Sequence, residues 1–238
     1  MLLITGVGVG FASGLLGVGG CFIMIPVQYW VLTSMSIDPK IAILVSFGTN
    51  LFVVLPTAIS GSYRHSVKNA VLWKPAIIMG VSGAIAAMLG AFVATLLPGN
   101  VLTAAFGIAI ISGAIRMLTA KPLKADEHPP DSNLPYVLWG LPLGFACGLI
   151  GIGGGVLMIP IMVVVLKFSM HKAVGTSTGL MIFTAIGGTI SYIVNGWGVS
   201  GLPEYSIGYV NLLQFLSLIH ISEPTRPLYI SYAVFCLK

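Results

Sequence analysis

The sequence predicts an all-α, polytopic transmembrane helical bundle made of two related repeats, each with a glycine-rich broken or re-entrant segment. Three observations lead there. Of 238 residues, 57% are hydrophobic and only 7% charged, whereas a water-facing domain carries about 25% charged residues. The apolar residues gather into stretches near or above the roughly 20 needed to span a bilayer as helix. One glycine-rich block occurs twice.

The stretches run over about 1–32, 41–61, 71–97, 100–118, 135–166 and 173–195, with a seventh beginning near Ile207. The first and fifth are long enough for a tilted span or for a span plus a re-entrant piece. No Lys or Arg precedes the first apolar run, so a retained helix is expected there rather than a removed signal peptide. Residues 1–118 form the first repeat, 119–134 a polar linker, and 135–215 a second, truncated repeat. The linker "AKPLKADEHPPDSN" has the Pro and charge content of a loop outside the membrane.

The repeat is read from two pairs of segments. "GFASGLLGVGGCFIMIP" (10–26) aligns without a gap to "GFACGLIGIGGGVLMIP" (144–160), with eleven of seventeen positions identical. "GTNLFVVLPTAISG" (48–61) then matches "GTSTGLMIFTAIGG" (175–188) at both ends. Paired membrane repeats are a common plan of secondary transporters, and interrupted hydrophobic segments at matching places point to the substrate site. Four single-crossing spans per half would make the repeats parallel, and one re-entrant element per half would make them inverted. The sequence leaves both open.

Each Gly inside a helix costs about 0.5–1 kcal/mol relative to Ala, so the run at Gly151, Gly153, Gly154 and Gly155 needs a purpose. With Pro160 closing the block, and Pro26 closing its first copy, an unwound turn within the membrane is expected. Backbone left unpaired at that depth survives only against protein or a wet cavity, and N–H groups at a half-helix start attract anions. Gly17, Gly19 and Gly20 are the matching candidates of the first copy. Thr49 and Asn50, and Thr176 and Ser177, begin the following span in each copy and complete the candidate substrate site. Gly10/Gly14 and Gly144/Gly148 have the small-xxx-small spacing of close helix packing.

Other functions find no support. A Rossmann fingerprint lacks its strand and downstream acid, and a P-loop lacks its Gly-Lys-Ser/Thr. Asp38, Asp126, Glu127, Asp131 and Glu204 all fall outside the spans, so no carboxylate relay is available. No metal cluster, cofactor motif or nucleophile–base pair stands out, and no enzyme is expected. The formal charge of +5 reads as topology signals between spans, not as nucleic-acid binding. If each stretch crosses once, Arg64, Lys68, Lys74, Arg116, Lys121 and Lys124 lie on one side, and Lys40, Lys167 and Lys172 on the other. Six against three puts the linker and the N-terminus in the cytoplasm. Arg64 and His65, just past the second span, are placed to meet an anion at its mouth or to mark topology.

The duplicated G-x-x-G-x-G-G-G-x-x-x-x-P block, followed by a Thr-Ser-bearing helix, resembles the sulfite exporter TauE/SafE family of bacterial and archaeal membrane proteins. The second copy is complete at Gly148, Gly151, Gly153, Gly154, Gly155 and Pro160, and the first departs at Cys21. The resemblance implies a multi-pass protein of the bacterial or archaeal cell membrane with seven or eight helices. It also implies export of a small sulfur-containing anion such as sulfite or an organosulfonate. The alternatives are a permease for another small organic anion and a non-transporting membrane scaffold. The last stretch, 216–238, resembles a translated sequencing adapter and is expected to be non-native.

Overall fold

The computed structural model describes residues 21–119 and 132–222, without the side chains of residues 21–23, 113–119, 155–156 and 219–222. Gly17, Gly19 and Gly20 lie outside these residues, as does most of the adapter-like stretch. In chain order the helices are α1 (Cys21–Ser34), α2 (Pro39–Val67), α3 (Trp73–Leu96), α4 (Gly99–Thr119), α5 (Leu134–Ile150), α6 (Gly155–Val164) and α7 (Met170–Asn195). A two-residue hairpin, β1 (Ser206–Ile207) and β2 (Val210–Asn211), then leads into α8 (Leu212–Ser222). The bundle is otherwise all helix.

Among the described residues, three helices, α2, α3 and α7, are long and apolar enough to cross a membrane. Their starts and stops follow from local chemistry. Asp38 caps α2 by accepting from the Lys40 N–H at 2.8 Å, with Pro39 at the first helical position, where its missing donor costs nothing. α2 runs two turns past the expected Gly61, because "SYRHSV" contains no breaker. On α3, Ile77, Val81, Ile85, Leu89, Phe92 and Leu96 stay exposed. In water such an apolar stripe is unfavourable, and in a bilayer it is the lipid-facing surface.

The opposite face of α3 is made of small residues and packs against two helices that run parallel to it. Along α5, Gly140 meets the Met79 backbone, Gly144 meets Gly83 and Gly148 meets Ala87. Along α7, Gly175 meets Ala70, Gly187 meets Ala84, and the Ser191 hydroxyl donates to the Met88 carbonyl at 2.8 Å. A Cβ on Gly144 or Gly148 would run into the facing backbone. Lipid tails are as apolar as leucine, so close backbone approach, not oil-drop collapse, holds such helices together. The packing role expected for Gly144 and Gly148 is therefore the observed one.

The contacts also fix direction. Lys40, at the start of α2, touches Gly99, at the start of α4, so one end of the bundle carries Lys40. The other end carries Arg64, Lys68 and Lys74 on α2, α3 and their turn. The apolar run 135–166, allowed as one tilted span or as a span plus a broken or re-entrant piece, forms two helices, the second turning back along the first. Phe168, just past α6, lies 6.2 Å from Tyr136 near the start of α5, ring centre to ring centre. Lys167 and Lys172 consequently sit at the same end as Lys68, since the Leu72 N–H donates to Thr176. This corrects their expected placement on the opposite side. Hydropathy records how much apolar chain there is, not whether it returns.

Residues 216–222 continue α8 without interruption.

Candidate functional site

The glycine block is the hinge between α5 and α6. Gly151 ends α5 in the left-handed region (φ 67°), with its N–H bonded to the Cys147 carbonyl at 3.0 Å. Gly154 opens α6, again left-handed (φ 85°), and its carbonyl accepts from Met158 N–H at 2.8 Å. Only glycine adopts these angles without cost. A Cβ on Gly151 would strike Phe47, and one on Gly154 would meet the Met158 methyl and the Cys147 sulfur. Gly151 through Gly154 are all buried. The break falls at the glycines and not at Pro160, which lies inside α6, as Pro26 lies inside α1. A missing donor there removes one helical bond, whereas two left-handed residues end the helix outright.

Neighbouring helices satisfy much of the freed backbone. The Asn50 side-chain NH2 donates to the Gly151 carbonyl at 2.6 Å, and the Tyr192 hydroxyl to the Gly148 carbonyl at 2.9 Å. Both side chains are fully buried. Because Asn50 Nδ2 faces a carbonyl, the amide orientation is fixed and Oδ1 points away without a partner among the described residues. At the opening of α6, the first N–H groups precede any intrahelical acceptor, and the N-cap residue, Gly154, has no side chain to cap them.

Thr49 and Thr176 do something different from what their position suggested. The Thr49 hydroxyl accepts from the Asn211 N–H at 2.9 Å, and the Thr176 hydroxyl from the Leu72 N–H at 3.0 Å. Each thereby holds the segment that leads into another helix, α8 or α3. The preceding glycines act alike: Gly48 lies against the Tyr209 carbonyl, Gly175 against the Ala70 carbonyl. The Gly-Thr pair is a docking device, with a bare Cα for approach and a hydroxyl for the arriving N–H. Ser177, the other candidate, is buried with its hydroxyl on the Val174 carbonyl of its own helix at 2.8 Å.

Two further residues were missed in the sequence. Gln28 on α1 is fully buried with neither amide atom partnered among the described residues, and Gln214 on α8 is 4% exposed with Oε1 unpartnered. Met24, Val53 and Leu218 form one apolar cluster between α1, α2 and α8. Gln28, Asn50 and Gln214 each lie one turn from these, toward the Lys40 end. The Phe52 and Phe215 ring centres lie 4.3 Å apart, tilted by 40°, which sets α2 and α8 in the same register. This spacing sets the three amides on α1, α2 and α8 at one level of the bundle, that of the glycine hinge. The signal was available: these are the chain's only two glutamines, both inside apolar runs where an amide needs a partner.

Among the described residues, no three His, Cys, Asp or Glu converge as a metal site would require. What converges instead is a broken helix, a buried Asn-to-backbone bond and uncharged amides. The sulfite exporter TauE/SafE family model matches residues 2–222. The chain belongs to the sulfite exporter TauE/SafE family. It is similar to a "probable membrane transporter protein" of Methanocaldococcus jannaschii, 33% identical over 89% of this chain and 78% of that protein. Like-named proteins of Haemophilus influenzae (27% identical, 96% and 86% covered) and Bacillus subtilis (26%, 82% and 78%) also match. No solved structure matches. The TauE/SafE match continues into residues 216–222, so neither it nor α8 sets the start of the adapter-like stretch apart. This TauE/SafE chain is a membrane transporter, not an enzyme.

Proposed function

We propose that the chain exports a small sulfur-containing anion, sulfite or an organosulfonate, across a bacterial or archaeal cell membrane by alternating access. One observation carries the reading: the start of α6 at Gly154, which offers no capping side chain, at a buried glycine hinge that Asn50 pins from another helix. Uncharged N–H groups hold an anion without the deep well that a buried Arg would create, so release stays fast. The anion sits between Gly151–Gly155 and Asn50. The family description names sulfite export, which favours a sulfur oxyanion over other small organic anions.

Two inverted repeats, with α5–α6 as a re-entrant hairpin, account for the contacts best. α5 and α6 enter from and return to the Lys68 end, while α1 leads to the Lys40 end. The matched bonds of Thr49 and Thr176 support the same relation. In this arrangement Arg64, Lys68, Lys74, Arg116, Lys167 and Lys172 face one compartment and Lys40 the other. That imbalance makes the Lys68 end and the linker cytoplasmic.

The test compares two glycines in the full chain reconstituted in vesicles. Gly154→Ala costs about 1–2 kcal/mol through its positive φ and obstructs the hinge, so sulfite efflux and sulfite-dependent stabilisation fall much further than the ligand-free melting temperature. Gly148→Ala presses on Ala87 and lowers stability by about 1–3 kcal/mol or more, with the anion response falling only in proportion. Proportional losses at both positions would leave the scaffold explanation standing.

A further inference from the structure

We infer that the site selects oxyanions that carry a hydrogen-bond donor of their own, an O–H or N–H, over equally charged anions that carry none. The inference rests on the proposed anion site and concerns the side of the ligand turned away from α6.

The polar atoms left over at the hinge are mostly acceptors. Asn50 Oδ1 has no partner among the described residues, and its orientation is fixed by the bond from Nδ2 to Gly151. Gln214 Oε1 is likewise unpartnered, and Gln28 presents both its oxygen and its nitrogen. Asn50 and Gln28 are fully buried and Gln214 nearly so. The three share one level of the α1–α2–α8 groove, since each lies a turn from the Met24–Val53–Leu218 cluster in the same direction.

An anion with acceptors alone satisfies the N–H groups of α6 and leaves these carbonyl oxygens facing its negative charge. Buried acceptors left without a donor cost about 1–3 kcal/mol, and sites built to hydrogen-bond a substrate reject the analogue that lacks the group. A monoprotonated oxyanion meets both sides at once, with oxygens on α6 and its hydrogen on an amide oxygen. The proton then travels with the substrate, which explains how export proceeds without an acidic residue in any expected span. Among the described residues, the side chains packed at the hinge include no carboxylate and no imidazole, only the Cys147 thiol and the Tyr192 phenol. The pH dependence of binding therefore belongs to the ligand.

The experiment measures binding to the full chain in lipid nanodiscs by ligand-induced thermal stabilisation. The probes are sulfite, tested below and above the second ionisation of sulfurous acid, and methanesulfonate at the same two pH values. Hydrogen sulfite should bind about tenfold tighter than methanesulfonate, the equivalent of one satisfied buried acceptor. Its advantage should disappear at the higher pH, while methanesulfonate stays level. Gln28→Met and Gln214→Met should bring the ratio of the two probes toward one, and ligand-free melting identifies either variant if it fails to fold. Equal binding of both probes to the wild-type chain, with no pH trend, would overturn the donor requirement and keep the anion site. Stabilisation by neither probe would overturn both.

Discussion

The groove between α1, α2 and α8 and the groove between α6, α7 and α3 have the same frame and different linings. In each, a Gly-Thr pair on the long helix docks the start of another: Gly48 and Thr49 on α8, Gly175 and Thr176 on α3. One residue further the chemistry diverges. Asn50 reaches across to the hinge carbonyl, whereas Ser177 closes on its own helix. Extending the sequence match sets Gln28 against Met162, and counting from the docked N–H groups sets Gln214 against Pro75. Met162 packs with Met158 and Leu166 in an apolar cluster. The frame is shared, while the amides stand on one side.

That difference separates residues that hold the fold from residues that could hold a ligand. A feature present in both grooves is explained by what both do, namely to dock a helix. A buried amide present in one, with polar atoms unspent, has no such explanation. Binding energy is expected to follow the asymmetric residues and stability the symmetric ones.

The largest effect should come from Asn50→Ala set beside Ser177→Ala. Both residues are buried, so burial alone does not distinguish them. Removing the Asn50 amide leaves the Gly151 carbonyl unpaired, costing about 1–3 kcal/mol, and removes a wall of the proposed site. Anion-dependent stabilisation should fall about tenfold or more by the same estimate. Ser177→Ala deletes a local bond that competes weakly with the helix, worth at most about 1 kcal/mol, and should leave the anion response in place. Equal losses of anion response would dissolve the distinction between the two grooves.

A middle-sized effect tests the shared frame. Thr49→Val and Thr176→Val each strand one backbone N–H, that of Asn211 or of Leu72. Each should lower the ligand-free stability by about 1–3 kcal/mol, and by similar amounts, with hydrogen exchange rising at the stranded amide. A large loss at one position and none at the other would show that the two docking contacts are not equivalent.

Much of this was legible in the sequence, for physical reasons. Spans show because bilayer thickness demands long apolar runs, and the hinge shows because successive glycines have few other uses. The packing of Gly144 and Gly148 followed from their spacing. Direction did not show: the return of α6 toward Tyr136 leaves no mark on hydropathy, so Lys167 and Lys172 were set on the wrong side. Nor did the roles of Thr49 and Thr176, because their partners are backbone N–H groups far along the chain. Gln28 and Gln214 were hidden by the apolar residues around them, since averaging over a span erases a single amide.

The smallest expected effect concerns His65. It lies at the Lys68 end, near Lys68 and His171, and belongs to neither groove. If the substrate brings its own proton to the amides of α1, α2 and α8, His65→Gln changes only a side chain at the mouth, outside both grooves. Sulfite efflux should then keep its dependence on pH, with a rate within about twofold of the wild type, as expected for a polar group that touches neither the ligand nor the hinge. Loss of the pH dependence with normal folding would move the proton from the ligand to the histidine. The comparison would then shift from two grooves to a groove and its entrance, with the amides left to orient an anion whose protonation is decided elsewhere.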